Sequence, residues 1–165
     1  MEIGPGRGEL LLALAAAAPG SNFFAVERVA AAADAIMVRA AARGLANVRV
    51  VAGDARCLVA RLVPDASVSA YHVYFPDPWP KTGHRHRRLA TAAFARDVAR
   101  TLVPGGAVHV ASDLRTVVER FVEVLATAGL RVVPDASPPA ARPTTAYERK
   151  YAGDGTHYAR LVRPS

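Results

Sequence analysis

The amino-acid sequence predicts an α/β protein with a doubly wound, mostly parallel sheet. Short apolar segments rich in Val, Phe and Tyr alternate along the chain with longer Ala- and Leu-rich helical segments. A glycine turn follows directly on the first apolar stub, and in such sheets the first strand-to-helix turn faces the ligand crevice.

Met1-Glu2-Ile3 reads as a strand stub, Gly4 to Gly8 as the turn, and Gly8 to Ala18 as a helix. Asn22 to Glu27 suits a second strand after Pro19-Gly20. Arg28 to Arg43 is a helix with Gly44 as its terminator, and Val48 to Ala52 is a third strand before a short helix that follows Asp54. Val68 to Phe75 is a fourth strand, which must stop at Pro76, Pro78 and Pro80. Arg87 to Thr101 is read as a helix, Pro104-Gly105-Gly106 as a turn and Ala107 to Ser112 as a strand. A helix from Arg115 to Ala128 ends at Gly129, Leu130 to Val133 is another strand, and Asp135 to Pro143, with three prolines, is a loop. Tyr158 to Val162 supplies a final edge strand.

At 165 residues, 52% of them hydrophobic and 21% charged, the chain suits one folded domain spanning 1–165 and excludes wholesale disorder. One cysteine, Cys57, makes no intrachain disulfide, no apolar run is long enough for a membrane span, and the first residues lack the basic start of a signal peptide. A cytoplasmic location is expected, with no membrane partner. The formal charge of +7 is unevenly distributed: residues 1–80 hold seven basic and seven acidic residues, residues 81–165 fourteen and seven. Such a field attracts a polyanion, although it also serves solubility.

Gly4, Gly6 and Gly8 lack side chains, so backbone amides can approach a ligand at a helix start; the same spacing also suits a tight structural turn. It is not the spacing of a dinucleotide or nucleoside-triphosphate loop. Glu27 closes the second strand and suits a ribose diol, or else pairs with Arg28 or caps the next helix. Asp54 suits an adenine amine or the cap of the short helix. Glu2 suits a cationic amino group. An ammonium, a ribose and an adenine together are the groups of S-adenosylmethionine.

The most specific pattern is F-P-D-P-W-P-K-T-G-H-R-H-R-R-L, Phe75 to Leu89. Its prolines fix a rigid exit that leaves Asp77 and Trp79 at the crevice, and Lys81, Arg85, Arg87 and Arg88 then suit a polyanion. Trp79 either packs the proline loop or touches a base. His84 and His86 have no local partner for a metal site, which favours contact with RNA or phosphate.

From E-I-G-P-G-R-G-E through G-D-A and this motif to R-P-T-T-A-Y-E-R-K, the chain resembles the bacterial tRNA (guanine-N7)-methyltransferase family. The resemblance implies a class I S-adenosylmethionine-dependent methyltransferase (Rossmann-like) fold and methyl transfer to guanine N7 in tRNA, at guanosine 46 of the variable loop. It places Glu2, Gly4, Gly6, Gly8, Glu27, Asp54 and Asp77 on the cofactor, with Asp77 also as the catalytic acid. It places Lys81, Gly83, His84, Arg85, His86, Arg87, Arg88, Asp113, Thr145, Ala146, Tyr147 and Glu148 on the substrate. Ala146 and Tyr147 stand where the family usually has lysine and phenylalanine, so one positive contact is lost. Asp113 also suits a helix cap, Tyr147 a core position and Glu148 a pair with Lys150. Members normally carry several dozen residues ahead of E-I-G, and with Met1 in front of Glu2 the central strand is expected to be about three residues long. Competing expectations are a noncatalytic tRNA-binding relative and a methyltransferase for a small molecule or protein. The sequence implies no obligate protein partner and leaves monomer or homodimer open.

Overall fold

The computed structural model describes residues 1–79, 81–134, 149 and 155–165, with the side chains of Thr82 and Arg85 outside that set. Among the described residues seven strands form one sheet: β1 (Glu2–Ile3), β2 (Phe23–Glu27), β3 (Val48–Ala52), β4 (Val68–Tyr74), β5 (Leu102–Ser112), β6 (Arg131–Val133) and β7 (His157–Val162). Their order is β3-β2-β1-β4-β5-β7-β6. β1 to β5 are parallel throughout, and β7 runs antiparallel to both β5 and β6. From β1 the chain winds outward through β2 and β3, then returns to the other side of β1 for β4 and β5. The order therefore reverses at β1, which sets a crevice beyond the carboxyl ends of β1, β2 and β4.

Helices α1 (Glu9–Ala17) and α2 (Ala30–Ala42) cover one face, where Leu11, Leu12, Ala15, Ile36 and Ala40 pack against Ala25 and Val48. Helices α3 (Ala55–Leu62), α4 (Ala92–Thr101) and α5 (Arg115–Thr127) cover the other, with Val59, Phe94, Val98 and Phe121 against Val26, Tyr71, Val73 and Val110. Two-residue periodicity explains the division: Val26, Tyr71 and Val73 point one way and Ala25 the other. The buried hydroxyl of Tyr71 pairs with Thr101 Oγ1 at 2.7 Å, so its polar end is satisfied inside the apolar layer.

β1 is short but fully seated between its neighbours. The Met1 ammonium donates to the Ala70 carbonyl at 2.6 Å, His72 N–H donates to the Met1 carbonyl at 2.9 Å, and Gly4 N–H donates to the Val26 carbonyl at 2.9 Å.

Three expectations require correction. The stretch from Arg87 to Thr101 is not one helix: a 3-10 turn spans Thr82–Arg87, and α4 starts only where the Thr91 hydroxyl accepts from Phe94 N–H at 3.2 Å. Pro104-Gly105-Gly106 does not separate helix from strand. It bulges within β5, where Val68 faces Leu102 but Ala70 faces Ala107, and Gly105 and Gly106 exchange hydrogen bonds with Arg163. The last strand, β7, is not an edge; it lies between β5 and β6, and β6 is the edge. No helix among the described residues is long and apolar enough to cross a membrane.

Candidate active site

A cavity of about 320 Å³ opens at the reversal point. The ends of β1, β2, β3 and β4 bring Gly4, Glu27, Asp54 and Asp77 to its wall, and Ile3, Val26, Val29, Tyr74 and Leu89 supply apolar surface. Its size and mixed lining are those of a small-molecule site.

Glu27 is buried, and both carboxylate oxygens are engaged. Oε2 accepts from Gly6 N–H at 3.2 Å and Oε1 from Val29 N–H at 3.0 Å. It therefore ties the glycine turn to the start of α2, while one lone pair on each oxygen is left for a ligand. It does not pair with Arg28, which reaches across the cavity mouth to Asp77 at 3.5 Å.

Asp54 caps α3, accepting from Arg56 N–H at 2.8 Å, and its carboxylate also pairs with the Arg56 guanidinium at 2.6 Å. That charge-assisted hydrogen bond is the main reason its carboxyl is held below the usual range. The cap reading is realised, and the carboxylate still borders the cavity.

Glu2 stops one residue short of the lining. It is almost completely buried, and its Oε2 has no hydrogen-bond partner among the described residues. Burial raises its pKa to about 7, against the opposing pull of the Met1 ammonium and the Leu11 amide. Gly6 and Gly8 do not line the cavity. Gly8 instead lets α1 approach α2, since a Cβ there would lie 2.9 Å from Ile36 Cγ2.

The exit from β4 places Asp77 at the rim with a largely exposed side chain. Phe75 and Trp79 on either side of it have left-handed backbones, φ 49° and 42°. Trp79 is on the wall, with the Arg28 and Arg87 guanidinium groups over its ring and His84 edge-on at 5.5 Å between centroids. Both of its sequence readings meet here, because the ring is half-buried by these neighbours yet borders the cavity.

The basic segment is folded back onto the site. Arg87 lines the cavity, Arg88 Nε donates to the Trp79 carbonyl at 3.0 Å, and the His86 carbonyl accepts from Arg56 at 2.5 Å. Lys81, Gly83 and the His86 side chain are exposed. Asp113 lies beyond the cavity lining and does not cap α5. Its Oδ1 accepts from the Ser112 hydroxyl at 3.2 Å, and that hydroxyl, not the carboxylate, takes the Leu114 N–H. Thr145, Ala146, Tyr147 and Glu148 lie outside the described residues, as does the expected Glu148–Lys150 pair. Among the described residues no cluster of His, Cys, Asp or Glu could hold a metal ion.

Sequence reasoning missed Arg28 as a partner of Asp77 and Arg56 as the link from Asp54 to the basic segment. Arg28 directly after Glu27 and Arg56 two residues after Asp54 were visible; what they reach across the crevice, Asp77 and the His86 carbonyl, was not.

Fold and site together define a class I S-adenosylmethionine-dependent methyltransferase fold. A family described as "Putative methyltransferase" matches residues 1–161. The chain is 36% identical to a tRNA (guanine-N(7)-)-methyltransferase of Nitrosococcus oceani, covering 91% of this chain and 64% of that one. It is 33% identical to the enzyme of the same name from Nitrosomonas eutropha, covering 91% and 68%. The chain belongs to the tRNA (guanine-N7)-methyltransferase family and spans about two thirds of the length of these relatives. Its fold recurs among solved structures. The aminoglycoside resistance methyltransferase NpmB1 matches with a TM-score of 0.68 at 17% identity, over 98% of this chain and 85% of that one. The [4+2]-cyclase SpnF gives 0.68 at 17%, over 99% and 73%.

The residues present fit S-adenosylmethionine: carboxylates converge from three strand ends, and a fourth, at Glu2, keeps a buried oxygen without a partner among the described residues.

Proposed function

We propose that the protein transfers a methyl group from S-adenosylmethionine to N7 of guanine in tRNA, at guanosine 46 of the variable loop. One observation carries this reading: strand-end acids and the Asp77 turn share one cavity, and the basic segment forms part of its rim. Membership of the family supports the substrate class.

When bound, S-adenosylmethionine supplies a methyl group made electrophilic by its positively charged sulfur. Glu27 accepts the ribose hydroxyls, Asp54 the adenine amine and Glu2 the ammonium group. Guanine N7 has an available lone pair and no proton to lose, so no side chain acts as a general base. The demand on the protein is alignment of N7 with the methyl carbon. Asp77 orients the guanine and favours the positive charge that develops on its ring. Lys81, Gly83, His84, Arg85, His86, Arg87 and Arg88 engage the tRNA, chiefly its phosphates, and Asp113 with Thr145, Ala146, Tyr147 and Glu148 completes the substrate side.

The test is incubation of purified protein with tRNA and labelled cofactor, followed by mapping of modified nucleosides by mass spectrometry. The expected product is 7-methylguanosine at position 46. Label in another nucleoside, or none in RNA, overturns the reading.

A further inference from the structure

Trp79 is the single tryptophan of the chain, and two planar cations lie over its ring. The guanidinium carbon of Arg28 is 5.8 Å from the ring centroid and that of Arg87 is 4.9 Å away, both within cation–π range. Arg28 meets Asp77 at the same time, with 3.5 Å between Nη2 and Oδ2. One guanidinium thus occupies both an aromatic ring and a carboxylate at the cavity rim.

The ring is held in place at some expense. Its backbone is left-handed, φ 42°, a conformation that a bulky L-residue adopts only where its surroundings enforce it. Arg88 Nε supplies part of that enforcement by donating to the Trp79 carbonyl. A tryptophan that merely wedged the proline turn would not need to border the cavity beside Asp77, as this one does.

Guanine methylated at N7 shares the features that Arg28 presents here. It is a planar, delocalised cation, and its edge carries N–H donors suited to a carboxylate. We propose that Trp79 is the platform on which the target guanine stacks as it becomes positive, and that Arg28 holds this place, over Trp79 and against Asp77, until the base displaces it. The inference rests on the guanine-N7 reading and adds to it a substrate-touching residue, Trp79, and a positioning residue, Arg28.

The charge balance gives the arrangement its value. The N7 lone pair forms the new N–C bond, the electron pair of the C–S bond stays on sulfur, and the positive charge passes from sulfur to the guanine ring with no proton transferred. Attraction to the indole face therefore grows during the reaction. An interaction stronger in the transition state than in the ground state is the kind that accelerates a reaction.

The test uses free nucleosides and the fluorescence of the lone tryptophan. Titrating the full chain with 7-methylguanosine and with guanosine is expected to quench Trp79, with about tenfold tighter binding of the methylated, cationic base. Arg28→Gln is expected to strengthen 7-methylguanosine binding about threefold, because the resident cation is gone. Trp79→Leu, followed by equilibrium dialysis and checked for folding by circular dichroism, is expected to abolish the preference. Equal affinities in the parent, no quenching by either nucleoside, or weaker binding by Arg28→Gln each overturn the proposal, and the Arg28 result does not depend on Trp79→Leu folding. If tRNA is methylated at N7 without this preference, the platform fails alone. If the preference holds while tRNA is never methylated, the functional reading fails and the cation platform stands.

Discussion

The turn after β1 and the turn after β4 both contain left-handed residues, but they are made of different chemistry. The first has glycine at each such position, Gly4, Gly6 and Gly8 with φ of 68°, 54° and 69°. The second has Phe75 and Trp79, where a Cβ makes the same conformation unfavourable by about 1–2 kcal/mol each. The glycine turn is relaxed and stitched into the fold through Val26, Glu27 and Ile36. The proline turn is held from outside: Phe75 N–H donates to the Ala111 carbonyl, Arg88 holds the Trp79 carbonyl, and Pro76 and Pro78 restrict the backbone between them. The contrast shows that residues in the first turn suit its backbone, whereas residues in the second are explained by what their side chains do at the rim.

The largest effect is expected at the second turn. Asp77→Asn should slow methyl transfer about 100-fold or more, on the order of 3 kcal/mol, in single-turnover assays at saturating tRNA and cofactor. Circular dichroism should stay normal because the side chain is 66% exposed. A rate within about twofold of the parent would break the comparison.

In the first turn, Gly8→Ala should destabilise the fold by about 2–3 kcal/mol in urea titration, combining a left-handed alanine with overpacking against Ile36. Gly6→Ala has the same backbone demand but open space around the added Cβ, and should cost about 1 kcal/mol. Equal losses at the two positions would show that close packing is not what Gly8 provides.

Glu2 sharpens the comparison through pH. Burial raises its carboxyl from 4.5 to about 7, so the folded chain retains a proton that the unfolded chain releases at lower pH. This stability is fully present below about pH 4.5 and is lost as pH rises to 7, about 3 kcal/mol in all. The Met1 ammonium, lowered by burial from 8.0 to about 6, acts with the opposite sign between those values. The Glu2 contribution is therefore cleanest between about pH 4.5 and 6. Glu2→Gln should flatten the parent's decline there in denaturant titrations. An unchanged slope would assign the pH dependence to other groups.

The smallest effect separates strain from function. Ala66, outside the cavity, is also left-handed, with φ 46°. Ala66→Gly should stabilise by about 0.5 kcal/mol without altering methyl transfer, since relief of the backbone exceeds the entropy lost by glycine. A change in transfer rate would show that strain at a distance matters to the site.

Much of the architecture could be read because its signals are local. Val48–Ala52 is a strand with the boundaries expected of its valine run, and α5 begins at Arg115 as expected. Two of the errors arose where long-range pairing decided. Pro104-Gly105-Gly106 has the composition of a turn, but Arg163 takes up the hydrogen bonds of Gly105 and Gly106 and keeps the segment in β5. β7 resembles an edge strand until β6 pairs along its outer side. Arg87 and Arg88 sit in one basic run, yet they contact Trp79 differently, one over its ring and the other at its carbonyl.

By itself the sequence determined the succession of strands and helices, the glycine turn, the acids at strand ends and the F-P-D-P-W signature, because these depend on periodicity, backbone permissiveness and residue type over a few positions. Only the tertiary structure decided that Glu2 is buried with its charge disfavoured, that Gly8 serves helix packing, and that Arg28 reaches Asp77 and Trp79 across the crevice. Burial, close approach and charge pairing depend on distances between segments far apart in the chain, and those distances exist only once the sheet has formed.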